Sequence, residues 1–401
     1  MIGRVEIYWP DSRGGVHLSI RQFLWTVIQY ESVVKLVYII YFLTEDNNMF
    51  YEENQIFRYD SLLPVHSPLD PIEDLICWIS GLNSISYVSD ILRIKHTMRN
   101  RTDIKNAAKQ ISVHAKTVIG FVEQAYSGTP EVSFLPLYYA ILNLSKIYLI
   151  CAGKQQDLLS NRHHGVIYPH DMNTGNELMS EIIKIYDRGV FPFFYKLLKN
   201  INTHRLEKHI TCSYFYPFIR CVSYEYRQAY NQPYSFQDIT LQIKKDNEGK
   251  YKLKAIFYQD ENPPIRSIKL LKGFTKVGES GKKLLYEGKK ISANDDKDAY
   301  EKLLNDVRRF LIYDITFNPD TSPRAVVTPI SSNKLLLPEE IPIWLAFYHL
   351  SNIVRYKPDH LLKFMDSKSW PVLLSLRKHA FLRFLICFWS FLQKQSTILR
   401  P

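Results

Sequence analysis

Apolar positions recur at helical spacing in the part of the chain that follows residue 70. The spacing predicts a helix from Pro71, which suits a first turn, to about residue 79, and two long helices within 84–126. The sequence Gly128-Thr129-Pro130 is predicted to end the second of these. Helical spacing returns at about 176–200, whereas 211–232 is aromatic-rich and fits either a helix or a strand.

The segment 135–152 has the clearest helical pattern. Pro136 is predicted to lie near its first turn, and Gly153 just beyond its end. One predicted face is apolar and consists of Leu137, Ile141, Leu144, Tyr148 and Cys151. A second face presents the polar groups of Tyr139, Asn143 and Lys146. This helix is therefore expected to contact the core on one side and to offer hydrogen-bonding groups on another.

The pattern changes to period two beyond residue 238. Residues 239–245 and 251–257 alternate between apolar and polar side chains, and the turn sequence of 246–249 joins them, so a β-hairpin is predicted. Further short strands are expected in 264–290, and one more at 311–317.

From Pro338 the pattern predicts helices to the end of the chain, with an interruption at Pro358. One line of the first helix carries Trp344, Tyr348, Ser351 and Arg355. The last helix, about 371–394, is strongly apolar, but its charges argue against a membrane-spanning tail; they are Arg377, Lys378, His379 and Arg383.

These patterns predict an α+β protein with a mostly helical scaffold. We expect a small N-terminal module of mixed structure at 1–70 and a helical domain at 71–232. A lysine-rich β insertion is predicted at 233–330, and C-terminal helices that pack on the helical domain at 331–401.

Charge is concentrated in the predicted insertion. The chain has 401 residues, 46% apolar and 14% aromatic, which excludes a largely disordered protein. It carries 51 Lys and Arg against 40 Asp and Glu, a net charge of +11. Residues 244–290 hold 13 basic and six acidic residues, an excess of seven, so the other 354 residues contribute only four. The charge therefore indicates a local basic surface.

Lysines on one face of a strand can neutralise phosphates and release counterions. Lys250, Lys252 and Lys254 alternate along a predicted strand and so share a face. The candidate nucleic-acid-binding residues are Lys250, Lys252, Lys254, Lys269, Lys272, Lys276, Lys282, Lys283, Lys289 and Lys290. The same lysines also fit a solvated face that prevents edge-to-edge pairing of strands, and both interpretations remain open.

Neither a metal, a cofactor nor a membrane span is predicted. The five cysteines, Cys77, Cys151, Cys212, Cys221 and Cys387, are widely spaced, which indicates isolated thiols in a reducing compartment. The most apolar run, 33–43, has only 11 residues and contains Lys35, against about 20 residues needed for a span. With no secretory signal visible, a cytoplasmic location is expected.

The motifs of common enzyme classes are missing from the sequence. Residues 277–283 resemble part of a phosphate-binding loop, but lysine stands at 276, just before them, and at 283, where that motif requires Gly and Ser or Thr. His163 and His164 are followed by His170 and Asp171, without a second cluster at metal-ligand spacing. The sequence contains no G-x-S-x-G and no H-E-x-x-H.

Two segments resemble the YaaC-like family of bacterial proteins. The first is Leu135-Pro-Leu-Tyr-Tyr-Ala-Ile-Leu-Asn-Leu-Ser-Lys146, followed after a loop by His164-Gly165. The second is Leu335-Leu-Leu-Pro-Glu339, leading to His349-Leu-Ser-Asn-Ile-Val-Arg-Tyr356. The resemblance covers about 75–401 and implies architecture more than chemistry, since the family has no established activity. The positions that match its pattern are Asn143, Lys146, His164, Gly165 and Arg355.

The first segment also resembles the core of HEPN-type helical domains, which occur in defence systems as RNases and as inactive binding modules. HEPN RNases use Arg and His separated by four to six residues, and Arg355 and His360 fit this spacing, although Pro358 lies between them. A structural interpretation of the family-pattern residues is the one that we favour. Asn143 and Lys146 would then hold the loop of the 160s, and Arg355 would satisfy buried carbonyls.

Three functions follow as hypotheses. The first is a non-catalytic accessory or interaction protein of a prokaryotic defence system, which contacts nucleic acid or a protein–nucleic acid partner through the basic β surface. The second is a HEPN-type, metal-independent RNase that uses His163, His164 or Arg355. The third is a structural subunit of a larger assembly, with an exposed aromatic interface of Tyr214, Phe215, Tyr216 and Phe218.

Overall fold

The structure, a computed structural model, describes residues 62–66 and 70–400, apart from residues 156–157, 159–162, 233–236, 247, 259–273, 282, 295–297, 300–301, 304–310, 314–324 and 328–337. Two compact units divide the chain, Met1–Glu53 and Asn54–Pro401. The first unit lies outside the described residues, as does most of the module predicted for 1–70. The architecture below is that of the second unit.

Helices dominate the described residues, and the predicted α+β class is confirmed. In chain order the α-helices are α1 (Pro71–Gly81), α2 (Ile85–Ile94), α3 (Arg101–Ser127), α4 (Pro130–Cys151), α5 (Val190–Lys199), α6 (Cys212–Phe215), α7 (Ser223–Tyr230), α8 (Glu340–Tyr356), α9 (Pro358–Met365), α10 (Trp370–Ser375) and α11 (Phe381–Gln393). A π-helical turn, Leu376–Ala380, joins the last two.

The strands form three sheets among the described residues. In chain order they are β1 (Leu62–His66), β2 (Val166–Ile167), β3 (Ile182–Ile185), β4 (His209–Thr211), β5 (Gln237–Lys245), β6 (Tyr251–Tyr258), β7 (Thr275–Ser280), β8 (Lys283–Glu287), β9 (Leu311–Tyr313), β10 (Ala325–Val327) and β11 (Ser396–Arg400). The sheets have the orders β1-β11, β2-β3-β4 and β7-β8-β6-β5-β10-β9.

Side-chain caps fix the starts of the first helices. Asp70 accepts hydrogen bonds from the backbone N–H groups of Ile72 (2.9 Å) and Glu73 (3.1 Å), with Pro71 in the first turn as predicted. Asn100 caps α3 in the same way. The predicted break at 128–130 is confirmed, because α3 ends at Ser127 and α4 begins at Pro130.

Helix α4 lies at the centre of the scaffold and packs against α3, α5, α8 and α11. The predicted apolar face is buried throughout. Within the described residues, α4 is long and apolar enough to cross a membrane, but 83% of its most apolar window is buried inside the protein, as in a core helix. The predicted start near residue 135 is wrong: α4 begins at Pro130, and Pro136 lies inside the helix. Two prolines six residues apart give equally good first-turn signals, so the local pattern does not choose between them.

The helix predicted for 176–200 is only partly correct. Only its last part is α-helical, in α5, whereas Ile182–Ile185 forms the central strand of the small sheet. Burial alternates along β3, where Ile183 and Ile185 are buried and Ile182 and Lys184 are partly exposed, which suits a strand. Gly189, with φ of +119°, then turns the chain into α5.

The predicted hairpin is confirmed by β5 and β6, whose register runs from Ile239 opposite Phe257 to Lys245 opposite Tyr251. Asp246 holds the turn by accepting from the backbone N–H groups of Glu248 (3.0 Å) and Lys250 (2.9 Å). The six-stranded sheet to which the hairpin belongs is inserted in the sequence between α7 and α8.

The C-terminal helices complete the scaffold. Helix α8 is buried along most of its length against α4, and it ends before Pro358, as predicted. A buried ion pair joins Arg383 Nε of α11 to Glu339 Oε2 (2.7 Å), and Glu339 Oε1 accepts from the backbone N–H of Arg220 (2.8 Å). This pair fixes the start of α8 against α11.

Two expectations for these regions are wrong. The chain is not helical to its end, because α11 stops at Lys394 in the left-handed conformation and β11 then pairs in parallel with β1. The aromatic run expected to be exposed is mostly internal, since Phe215, Tyr216 and Phe218 are buried in the core of the scaffold. A local sequence pattern shows neither that β1 pairs with β11 nor that helices of the scaffold cover the aromatic run.

Candidate functional site

A pocket of about 430 Å³ opens where the loop of the 160s meets the C-terminal half of α8. Its volume falls within the range of about 300–1,000 Å³ usual for small-molecule sites. The lining residues are Tyr138, His163, His164, Gly165, Val166, Ile167, Tyr168, His170, Tyr186, Tyr348, Ser351, Asn352, Arg355 and Tyr356. The structure thus brings together His163, His164 and Arg355, which the sequence predicts as candidates from segments about 190 residues apart.

The loop at 163–165 is held by backbone contacts with the start of α5. The carbonyl oxygens of His163 and His164 accept hydrogen bonds from the N–H groups of Val190 (3.0 Å) and Phe191 (2.9 Å). Gly165 has φ of +83°, and a Cβ there would collide with the ring of Pro192 and lie 2.9 Å from the Arg188 carbonyl oxygen. Only glycine fits this position, which explains the His-Gly pair in physical terms.

Histidine 164 is oriented from behind by α4. The hydroxyl of Tyr138, which is almost fully buried, lies 2.6 Å from His164 Nδ1. Burial lowers the pKa of His164, and the nearby positive charges of Lys146 and Arg355 lower it further. The imidazole is therefore held towards its neutral form beside the pocket. His163, in contrast, is exposed at the rim.

Arg355 lies at the exposed end of α8 between two tyrosine rings. Its guanidinium carbon is 5.3 Å from the ring centre of Tyr139 and 5.4 Å from that of Tyr356. It donates hydrogen bonds to both hydroxyls, that of Tyr356 at 3.2 Å. These hydrogen bonds raise the pKa of Arg355, so it remains a fixed cation. The structural interpretation expected Arg355 to satisfy buried carbonyls, whereas its hydrogen bonds go to the hydroxyls of Tyr139 and Tyr356.

The other two family-pattern residues lie on α4, and neither lines the pocket. Asn143 is buried; its amide oxygen is 2.8 Å from His114 Nδ1 on α3, and its amide nitrogen donates to the carbonyl of Tyr139. Asn143 therefore bonds to helices rather than holding the loop of the 160s, contrary to the structural interpretation. Burial lowers the pKa of Lys146. The positive charge of Lys146 in turn contributes to the lowered pKa values of His164 and His114.

The pocket carries one fixed cation, Arg355, without a matching carboxylate. None of the described residues that line it is Asp or Glu, whereas one arginine and three histidines line it. Five of the lining residues are tyrosines. This combination of cationic and aromatic groups favours an anionic ligand that has a flat ring.

A buried carboxylate behind the pocket is a feature that the sequence analysis missed. Glu181, 1% exposed, accepts hydrogen bonds at its two oxygens from three side chains: Tyr168 (2.9 Å), His349 (2.7 Å) and His360 (3.0 Å). Burial alone would raise the pKa of Glu181, but the hydrogen bonds and the histidines hold it below its ordinary value. Because Tyr168 and the helix that carries His349 border the pocket, this network positions its inner wall.

The Arg and His residues whose spacing fits a HEPN-type RNase lie in two different environments. Arg355 lines the pocket at the end of α8, whereas His360 is buried in α9 against Glu181. Pro358 starts α9 in a new direction between them. Among the described residues, no group of three or more His, Cys, Asp or Glu is arranged to hold a metal ion.

The candidate lysines of the insertion follow the predicted alternation only in part. Lys252 and Lys254 are partly exposed on the face of β6 opposite the buried Leu253 and Ala255. Lys250, Lys276, Lys289 and Lys290 are exposed. Lys269, Lys272 and Lys282 lie outside the described residues, and of Lys283 only the backbone, in β8, is described.

Several of these lysines are paired with carboxylates of the same sheet. Lys252 Nζ lies 2.7 Å from Glu287 Oε2, Lys250 Nζ lies 3.0 Å from Glu248, and Lys290 Nζ lies 2.6 Å from Asp246. Lys276 pairs with Glu279. Lys244, which the sequence analysis did not select, lies directly opposite Lys252 in the register.

Comparison with known proteins places the scaffold in a family. The model of the family described as YaaC-like Protein matches residues 81–392, more than three quarters of the chain. This range includes the pocket, the Glu181 network and the inserted sheet. Neither the search of curated proteins nor the search of solved structures gave a match.

Proposed function

We propose that this chain, which belongs to the YaaC-like family, is a non-catalytic accessory protein that contacts nucleic acid through its inserted sheet. A role in a prokaryotic defence system is part of the same proposal. The contact surface is a lysine patch that we define as Lys244, Lys252 and Lys254. The sequence supports a role without catalysis because it lacks the motifs of the common hydrolases.

One observation carries the proposal: the lysine patch brings like charges together on one face of two neighbouring strands. Lys244 lies opposite Lys252 in the β5–β6 register, and Lys254 is two positions further along β6. Desolvation and the nearby ammonium groups of Lys244 and Lys252 lower the pKa of Lys254, although Glu287 opposes this effect. A phosphate bound between the three lysines would relieve their mutual repulsion.

The carboxylate of Glu287 limits how strongly the patch attracts anions. It already binds Lys252 at 2.7 Å and lies opposite Lys254 in the β6–β8 register. A phosphate has to compete with this pair, so binding is expected to be weak and steeply dependent on salt. Lysine ammonium groups also act as point charges, which favours contact with the backbone over reading of bases.

The test is charge reversal of the lysine patch. We expect the triple variant Lys244→Glu, Lys252→Glu, Lys254→Glu to bind labelled single-stranded RNA and duplex DNA at least tenfold more weakly at low salt in fluorescence anisotropy. The slope of log affinity against log salt should fall by about two to three, because each lost phosphate contact removes about 0.7–0.9.

A matched control lies on one exposed face of α3. Lys105, Lys109 and Lys116 follow each other at steps of four and seven residues, and reversal of all three changes the total charge by the same amount. This control should keep most of the wild-type affinity. The proposal fails if both triple variants bind nucleic acid equally well, or if the patch variant keeps the wild-type salt slope.

A metal-independent RNase is a second candidate, favoured by the meeting of His163, His164 and Arg355 in one pocket. It predicts cleavage of RNA in the presence of EDTA by the purified protein, with loss of cleavage on His164→Ala. The control is His204→Ala, at an exposed histidine outside the pocket. If purified wild-type protein leaves a panel of single-stranded and structured RNAs intact, the RNase function is rejected.

A further inference from the structure

We propose that the pocket between the loop of the 160s and α8 binds a nucleoside monophosphate, with the phosphate on Arg355 and the base among the tyrosine rings. This site consists of residues different from those of the lysine patch, so the proposal goes beyond the proposed function and does not depend on it. Three features of the pocket support this ligand: a preorganised cation, the polar groups around it and the aromatic walls.

Arg355 is held ready for an anion. Two of its five N–H donors are used by the hydroxyls of Tyr139 and Tyr356, which fix the plane of the guanidinium. The rings of the same tyrosines lie close to its flat group, at 5.3 and 5.4 Å from ring centre to guanidinium carbon. The remaining donors of such a fixed fork match two oxygens of one phosphate.

The groups around Arg355 are also suited to an anion. His163 and His164 line the pocket beside it and carry ring N–H groups that can donate to a phosphate, and the ammonium of Lys146 on α4 adds positive charge near His164. No described lining residue is acidic, so an anion in the pocket meets no repelling carboxylate. Behind the pocket wall, the carboxylate of Glu181 is already bound by Tyr168, His349 and His360.

The aromatic walls of the pocket are suited to the base of the nucleotide. Tyr168, Tyr186, Tyr348 and Tyr356 line the pocket, and the ring of His170 lies 5.3 Å from that of Tyr356. All four nucleobases stack readily on aromatic side chains, because each base has a flat π face. The side chains of Ser351 and Asn352 add polar groups that can meet a base edge or a ribose hydroxyl. Inorganic phosphate would leave these walls unused, and a neutral nucleoside would leave Arg355 unused.

Isothermal titration calorimetry of the full chain tests the proposal. AMP, GMP, CMP and UMP are titrated separately, each beside its own nucleoside and beside inorganic phosphate. We expect at least one monophosphate to bind at least tenfold more tightly than its nucleoside and than phosphate. The proposal is overturned if none of the four binds, or if phosphate or the nucleoside binds as tightly.

Variants assign the binding to this pocket. Arg355→Gln should weaken the best monophosphate at least tenfold, and Arg355→Lys should weaken it less, because the charge remains but the fork is lost. Arg93→Gln, at an exposed arginine paired with Asp90, is the control and should bind as the wild type does. His163→Ala, at the exposed rim, gives a second measure and should also weaken binding. Equal affinity in wild type, Arg355→Gln and His163→Ala would refute the assignment.

The nucleotide can be free or the end of a single strand, and two further titrations separate these sources. A trinucleotide with a 5′-phosphate that binds as tightly as the monophosphate identifies a strand end, whereas weaker binding identifies the free nucleotide. The triple variant of the lysine patch should keep the wild-type affinity for the monophosphate. Loss of polyanion binding in that variant and loss of monophosphate binding in Arg355→Gln are therefore separate results.

Discussion

Acidification is predicted to destabilise the scaffold through one histidine, His96, which follows α2. Its Nε2 lies 3.0 Å from the carbonyl oxygen of Leu392 in α11, and its ring centre is 5.2 Å from that of Phe391. Because a carbonyl only accepts, Nε2 carries the proton of the neutral ring. Burial and the nearby ammonium of Lys394 lower the pKa of His96 from 6.5 to about 4.

The sign and size of the effect follow from this pKa. The unfolded chain takes up a proton on His96 below pH 6.5, whereas the folded protein resists protonation until about pH 4. Its contribution to the free energy of unfolding is therefore complete above pH 6.5 and is lost as the pH falls towards 4. At about 1.4 kcal/mol per pKa unit, the full loss is about 3 kcal/mol, of which about 2 kcal/mol falls between pH 7.5 and pH 5.

Urea unfolding followed by circular dichroism at pH 7.5 and pH 5 measures this contribution. His96→Gln keeps a side-chain N–H for the Leu392 carbonyl but cannot titrate. We expect the wild type to lose about 2 kcal/mol more than this variant between the two pH values. His204→Gln, at an exposed histidine, should retain the wild-type pH dependence. Equal losses of free energy in His96→Gln and in the wild type would contradict the assignment of this effect to His96.

Three further predictions concern the interior of the scaffold. Glu339→Gln or Arg383→Met alone should lower the free energy of unfolding by about 3–5 kcal/mol, because each removes one partner of a buried ion pair; the double variant, measured in the same urea titration, should recover much of that loss. Gly165→Ala should lower the melting temperature, because alanine at φ +83° costs about 1–3 kcal/mol even before its collision with Pro192, whereas Gly120→Ala, in open space on α3, should raise it slightly. Glu181→Gln should destabilise the protein at pH 7 and flatten its stability below about pH 4.5, because the pKa of Glu181 is lowered in the folded state and its contribution is lost as the pH falls; unfolding of both proteins at pH 7 and pH 3 measures this, and parallel curves would contradict it.

The features that were predicted correctly are those whose cause is local. The β5–β6 hairpin follows from alternation and from a turn that Asp246 and Gly249 stabilise within a few residues. The start of α1 follows from Asp70 and Pro71, which are adjacent to the groups that they cap. Where two local signals compete, as at Pro130 and Pro136, packing decides the outcome and the pattern alone does not.

The site could be predicted only in its parts. His164, Gly165 and Arg355 stand out through the family resemblance, but their meeting depends on the packing of α8 against α4. Glu181 could not be selected, because a single glutamate before a short strand has no distinctive pattern and its partners come from distant segments. The pairing of β1 with β11 is likewise set by contacts across more than 300 residues.

The inserted sheet has a consequence for the order in which the scaffold can be assembled during synthesis. Helix α4 ends at Cys151 and one of its main partners, α8, begins at Glu340, so 188 residues, including the whole sheet, are translated between them. At about 5–20 residues per second this takes roughly 10–40 s. Throughout that interval α4 has left the ribosome together with α3 but without α8, which covers another part of its apolar surface. The insertion therefore lengthens the time for which a nascent chain exposes this part of its core to chaperones and to neighbouring chains.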